Sequence, residues 1–174
     1  QRSSVRSRAV WGGVFIALLH AGIPIEDASH SAAYAASGGV RRCIWSFNLR
    51  TELCNHKDGA DAWPLRRAGV ASLLRRHRPA AVCTQESTDG MLDYLVEQLG
   101  PERYAWAGTS RSKKPGDETA SILYDKQQLT LREHETKWLS PAGFPDGKAA
   151  WDAAFPRTLE MATFDLEPQA EKIE

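Results

Sequence analysis

Cysteine is scarce in this 174-residue chain: Cys43, Cys54 and Cys83 are the whole complement. Their spacing matches no zinc signature and no C-x-x-C redox pair, so neither a zinc ribbon nor a dithiol centre is encoded. Cys43 and Cys83 sit in apolar runs, where a free thiol packs as a small hydrophobe, and an odd count fits a reducing compartment better than an oxidising one. Net charge is lacking too. Lys+Arg 22 balance Asp+Glu 22, which argues against tight binding of long polyanions, because neutralising a phosphate backbone takes clustered basic side chains. No apolar run is long enough to span a bilayer as a helix. There is no internal repeat, no low-complexity tract, and no glycine-rich phosphate loop after the first strand, which weakens any reading as a flavodoxin-like small-molecule binder. What is present is ordinary globular composition, 42% hydrophobic and 25% charged, in a chain long enough for one domain with a sizeable core.

The charge that exists is unevenly placed: residues 41–114 carry a net +5 and residues 115–174 a net −6. A basic middle could face phosphate, although a solvated surface is the commoner cause of such an imbalance. Residues 1–40 read as a leader or disordered extension. Arg2, Arg6 and Arg8 precede an apolar run from Ala9 to Leu19, and Ala33-Tyr34-Ala35 has the small-x-small form of a signal-peptidase site. A secretory signal or organelle transit peptide would place the protein outside the cell or in an organelle. Glu26, Asp27 and the two glycines of the apolar run fit a plain extension instead, and then the cytoplasm is expected. The folded domain is expected over 41–174, after the linker Ser37-Gly38-Gly39.

Arg42 to Arg50 reads as a strand, rich in aromatic and branched residues, followed by a polar stretch from Thr51 to Ala60. The next helix is expected over 62–77, capped by Asp61, with Pro64 in its first turn and Val70, Leu73, Leu74 and His77 on one face. Pro79 stops it. A short apolar strand follows from Ala80 to Gln85 and ends at Glu86. Ser87 or Thr88 then caps a second helix over 89–99, which Gly100 and Pro101 terminate. Strand, helix, strand, helix argues for parallel strands joined by right-handed crossovers. Tyr104–Gly108, Thr119–Tyr124, Leu129–Trp138 and Thr158–Leu166 read as strands separated by turns, so antiparallel pairing is expected there. The loop from Ser140 to Arg157 is long enough to suggest function.

Asn48 and Glu86 each close a predicted strand, and ligands of α/β sheets gather at the carboxyl ends of strands. Oxygen donors from neighbouring strands would suit a hard cation, Mg²⁺ or Mn²⁺. From spacing alone the plainer reading is preferred: Asn48 as a strand-end cap, and Glu86 as an exposed acid whose charge suits a helix N-terminus.

The ordered set Ser46-Phe47-Asn48-Leu49-Arg50, Trp63-Pro64-Leu65-Arg66-Arg67, Arg78-Pro79 through Gln85-Glu86, Tyr104-x-x-x-Gly108-x-x-Arg111, Gly116-x-Glu118-x-x-x-Ile122-x-Tyr124, Trp138-Leu139-Ser140-Pro141 and Trp151 through Phe155-Pro156-Arg157 resembles the opening of endonuclease/exonuclease/phosphatase domains. The resemblance covers residues 42–166. It implies an α/β fold of mixed β-sheets flanked by helices, the four-layer sandwich of that family, here incomplete. It also implies divalent-metal-dependent phosphoesterase activity, with Asn48 and Glu86 as ligands of Mg²⁺ or Mn²⁺ and with Arg157, Arg111 and Glu118 beside the substrate phosphate. The family's catalytic Asp and His belong to later motifs of the Asn-x-His, Asp-x-Asn and Ser-Asp-His kinds, none of which occurs in this chain. The expectation is therefore an N-terminal half with no catalytic residue identifiable, weakly active or inactive alone. The alternative is a non-catalytic binding or regulatory module, or an inactive fragment. Its partner is expected to be a small phosphorylated molecule and not long duplex nucleic acid. Trp138, Trp151 and Phe155 either offer stacking surface to such a ligand or anchor their loop to the core.

Overall fold

The computed structural model describes residues 42–141 and 149–167. The leader expected over 1–40 and the tip of the long loop lie outside the described residues. The elements are β1 (Ile44–Asn48), α1 (Trp63–His77), β2 (Ala81–Ser87), α2 (Asp89–Leu99), β3 (Tyr104–Ser110), β4 (Thr119–Asp125), β5 (Leu129–Trp138) and β6 (Thr158–Leu166). Strands β1 to β4 form one mixed sheet in the order β1-β2-β4-β3, and β5 and β6 form a second, antiparallel sheet. β1 and β2 run parallel, with Asn48 opposite Gln85, while β4 is antiparallel to both β2 and β3. Among the described residues this makes three layers: helices, four-stranded sheet, two-stranded sheet. The expected fourth, helical layer over the second sheet is not among them.

Alternation along the strands divides the core. Val82 and Leu123 point to the helices, where Leu49, Trp63, Ala71, Leu74, Met91, Leu95 and Tyr104 complete one cluster. Ala81, Ile122 and Tyr124 point the other way, against Leu129 and Ala162 of the second sheet. Each fully buried Leu or Met here contributes about 1.5–3 kcal/mol of hydrophobic stabilisation. α2 follows its sequence pattern closely. Thr88 is the N-cap, its Oγ1 accepting from the Met91 N–H, and Gly100 closes the helix at φ 102°, a conformation that only glycine adopts without strain.

α1 departs from expectation in two ways. Asp61 does not cap it: it lies in a 3₁₀ turn, Gly59–Asp61, and the first free N–H, that of Trp63, donates instead to the side-chain oxygen of Asn55 at 2.8 Å. The inward face is Trp63, Ala71 and Leu74, with Val70 packed beside them, while Leu73 is exposed. Ala71, small enough to let the helix approach the sheet, took the place expected of a larger residue. His77 is exposed and rests beside Trp45, ring centroids 5.3 Å apart. The polar stretch after β1 is not open loop: it folds into the turns Glu52–Cys54, Asn55–Asp58 and Gly59–Asp61. Cys83 is buried as expected, and burial pushes its thiol up to about 11. Cys43 is exposed, because it precedes the first residue of an edge strand.

Candidate functional site

The carboxyl ends of β1 and β2 meet at one end of the sheet. β1 stops at Asn48, and the next residue, Leu49, is buried and donates its N–H to the Gln85 carbonyl at 2.9 Å. Arg50 then adopts φ 54° and donates its N–H to Asn48 Oδ1 at 2.8 Å. On β2 the pairing with β4 slips between Thr84 and Ser87, and Glu86 sits at φ 54°. A bulge of this kind re-aims a side chain, and a non-glycine residue in the left-handed region costs about 1–3 kcal/mol. The bulge is anchored from below by buried hydroxyls: Thr84 Oγ1 lies 2.6 Å from Ser121 Oγ, and Ser87 Oγ donates to the Thr119 carbonyl at 2.6 Å. The outcome is that Asn48 Nδ2 donates to Glu86 Oε1 at 3.0 Å.

These two side chains belong to a cleft of about 500 Å³. Arg111, Glu118 and Arg157 also line it, so all five residues singled out in the sequence come together. Arg111 follows β3, where its N–H donates to the Glu118 carbonyl at 3.0 Å and closes the β3–β4 hairpin. Its guanidinium donates to Glu118 Oε2 at 2.6 Å, pairs with Asp117 at 3.4 Å, and lies 4.6 Å above the Phe155 ring. Burial pushes the Glu118 carboxyl up, Glu86 and Asp117 add to this, and Arg111 and Arg157 oppose it. Arg157 directly precedes β6, held by its carbonyl, which accepts from Leu139 N–H at 2.8 Å. Trp138 is buried and donates its indole N–H to the Arg111 carbonyl at 2.8 Å, so it anchors the hairpin. Trp151 is 71% exposed and is not among the cleft's lining residues.

Sequence reasoning missed Arg50, Thr51, Cys54 and Gln85 as cleft residues. Arg50 was visible in the Ser-Phe-Asn-Leu-Arg run, but nothing in the spacing assigned it a task. Its guanidinium is held by Asp58, Nε to Oδ2 at 3.2 Å and Nη2 to Oδ1 at 3.0 Å, and Nη1 stands 3.9 Å from Glu86 Oε2. Among the described residues no histidine lines the cleft, and no group of three or more His, Cys, Asp or Glu side chains is placed to hold a metal. His134 pairs with Glu160 Oε2 at 2.8 Å, away from the cleft residues.

Two oxygen donors here are nevertheless of the kind a hard cation takes, although it is the Asn48 amide nitrogen that faces Glu86. Glu86 offers a carboxylate, and Asn48 Oδ1 has accepted one N–H and keeps its second lone pair. Mg²⁺ is commonly held by one or two carboxylates together with waters and substrate oxygens.

No protein-family model and no curated protein sequence matches the chain. Solved structures do. An endonuclease/exonuclease/phosphatase from Bacteroides vulgatus is 27% identical, with a TM-score of 0.64, over 70% of this chain and 46% of its own. A family protein from Bacteroides thetaiotaomicron is 30% identical, TM-score 0.61, over 70% of this chain and 44% of its own. A mannosyl-6-phosphatase from the same organism is 28% identical, TM-score 0.64, over 72% and 46%. This chain therefore spans less than half the length of the structures it is similar to. Mixed sheet, second sheet, flanking helices and these similarities agree: the chain has the fold of the endonuclease/exonuclease/phosphatase family.

Proposed function

We propose that this chain carries the cation-holding and phosphate-holding side of a phosphoester hydrolase site, and that its substrate is a small phosphorylated molecule such as a sugar monophosphate. The observation that carries this reading is the convergence of Asn48 and Glu86, 3.0 Å apart at adjacent strand ends, in a cleft shared with Arg111 and Arg157. Asn48 and Glu86 would hold Mg²⁺ or Mn²⁺, which when bound polarises a phosphoryl oxygen and offsets charge that develops in the transition state. Arg157 would grip the phosphate, since the guanidinium fork matches two phosphate oxygens. Arg111 is held by Glu118 and Asp117 and stacked on Phe155, so its guanidinium is fixed in place at the cleft wall with its charge offset by those carboxylates. The likeness to a mannosyl-6-phosphatase supports a substrate of sugar-phosphate size.

The test is calorimetric titration of the chain with mannose 6-phosphate, and separately with inorganic phosphate, in the presence of Mn²⁺. Arg157→Ala is expected to weaken both by about tenfold, the scale of a hydrogen bond to a charged group. Failure of either ligand to bind, or an unchanged affinity in the variant, rejects the reading. A second reading, a non-catalytic phosphate-binding module, is favoured by the lack of any histidine lining the cleft among the described residues. Binding without turnover, in this chain and in a longer relative alike, would select it.

A further inference from the structure

Arg50 stands between two carboxylates, Asp58 and Glu86. Its backbone is fixed at three points. The residue sits at φ 54°, its N–H is committed to Asn48 Oδ1 at 2.8 Å, and its carbonyl accepts from the Arg66 guanidinium. Only the side chain is free to move, and it is 52% exposed. One edge of the guanidinium makes the bidentate contact with Asp58, a carboxylate that is only 10% exposed. The remaining nitrogen, Nη1, points to Glu86 Oε2 from 3.9 Å, close enough for charge attraction and beyond hydrogen bonding. Glu86 is the one carboxylate of the Asn48–Glu86 pair, so a guanidinium drawn to its Oε2 would engage an oxygen that a divalent ion would use.

We propose that Arg50 is a resident cation that competes with a divalent ion for Glu86, and that Asp58 sets how strongly it competes. The proposal rests on the reading of Asn48 and Glu86 as cation-holding residues. With Asp58 ionised, two of the three guanidinium nitrogens are engaged and Arg50 is held back from Glu86. When that hold is removed, a shift of about 1 Å brings Nη1 into the 2.7–3.2 Å range of a full hydrogen bond. Glu86 is then paired, and a divalent ion must displace a charged partner as well as water. Both groups are partly exposed, so the competition changes affinity by a factor of a few, not by orders of magnitude. It weakens as salt screens the charges. Such an arrangement keeps Glu86 from standing as an uncompensated negative charge before an ion arrives. It also leaves affinity tunable from a residue, Asp58, that does not line the cleft.

The experiment is an Mn²⁺ titration of the full chain, followed by paramagnetic broadening of the Asn48 and Glu86 amide signals, which reads millimolar binding and is independent of turnover. Well-dispersed spectra establish that each variant is folded, and Arg50→Met serves beside Arg50→Gln in case either perturbs the turn. Glu86→Gln is expected to abolish specific broadening. Arg50→Gln should tighten binding about threefold, and Asp58→Asn should loosen it by a similar factor. The Arg50→Gln, Asp58→Asn double variant should behave as Arg50→Gln alone, since Asp58 acts only through Arg50. The gain from Arg50→Gln should shrink at high salt. If Glu86→Gln abolishes binding while the Arg50 and Asp58 variants match the wild type, the competition is overturned and the cation site stands. If Arg50→Gln weakens binding, Arg50 supports the ion and the proposal is equally overturned. If Glu86→Gln binds as the wild type does, or the wild type shows no broadening at Glu86, the cation site itself is wrong.

Discussion

Asp125 is fully buried at the end of β4, and it is ionised only because of what surrounds it. Burial by itself would raise its carboxyl. Hydrogen bonds from Arg103, from the Gln128 side chain at 2.9 Å and from the Gln127 N–H at 3.0 Å outweigh that and hold it below the usual carboxylate range. Arg103 contributes most, with Nε 3.1 Å from both oxygens and Nη2 2.5 Å from Oδ2. Arg103→Met would strip the partner and leave a buried charge. The expected cost is about 3 kcal/mol at neutral pH, measured by urea unfolding. The sign of the pH dependence follows from the depressed folded-state value. The stabilisation is fully present above the unfolded carboxylate value of about 3.9 and is lost as pH falls through the lower folded value. The gap between wild type and variant should therefore close below about pH 4, and equal stabilities at pH 7 would refute the assignment. Legibility at this scale followed the backbone. Strand ends placed Asn48 and Glu86 near one another, but only the family resemblance singled them out, and their contact also needs the bulge that turns Glu86 to φ 54°. The Arg50–Asp58 contact could not be found, because it depends on the left-handed turn at Arg50 and on helical turns that the polar composition of 51–60 had disguised as loop.

Among the elements, α2 and β2 were the most legible. α2 has an apolar stripe of Met91, Leu92 and Leu95 with a cap at each end, and β2 is a continuous buried run, Ala81 to Thr84. α1 was legible in extent and not in orientation, because its many arginines leave few apolar residues to mark a face. β6 was legible in extent, Thr158–Leu166, and its inward face is Thr158, Glu160 and Ala162. Glu160 is fully buried. His134 Nε2 at 2.8 Å and Thr136 Oγ1 at 2.7 Å reach its Oε2, and Thr136 lies 3.0 Å from Thr109 of the neighbouring sheet. Its Oε1 has no partner among the described residues. Burial pushes the Glu160 carboxyl up, against the opposing hydrogen bonds from Thr136 and His134. A raised folded-state value means the folded form favours the proton. That stability is complete below the unfolded value of about 4.3 and is lost as pH climbs toward the raised value. Glu160→Gln keeps the shape and removes the titration. Its melting temperature relative to wild type should rise between about pH 4.5 and pH 7, by the equivalent of about 1 kcal/mol at the upper end. A constant difference across that range would mean that Glu160 stays ionised in the folded protein.

At the scale of the whole molecule, the distribution of function follows the architecture. The cleft gathers one carboxylate–carboxamide pair, a second carboxylate and three guanidiniums, from Asn48, Glu86, Glu118, Arg50, Arg111 and Arg157. In the proposed reading these groups bind and orient. None of them is an imidazole or an unpaired acid well placed to move a proton, and the histidines of the described residues stand elsewhere: His134 against Glu160, His77 beside Trp45, His56 in an exposed turn. The arginines of α1 are also turned to other work. Arg67 lies 4.5 Å over Tyr94 and Arg75 donates to the Gln98 carbonyl at 2.5 Å, so the helix's basic residues do not extend the cleft's charge into a track for a long polyanion. Ligand binding should accordingly be separable from turnover. Purified chain supplied with Mg²⁺ and p-nitrophenyl phosphate is expected to hydrolyse it barely above background, because general acid–base assistance commonly contributes about 10²–10⁴ in rate. Adding Glu86→Ala should leave that residual rate nearly unchanged while removing Mn²⁺ binding. Robust Mg²⁺-dependent turnover that disappears in Glu86→Ala would show that the described cleft, or residues outside it, already supplies the missing proton transfer. Negligible ester hydrolysis together with tight, steeply salt-dependent binding to random-sequence duplex DNA would contradict the small-substrate reading, since a steep slope requires many phosphates to be neutralised at once.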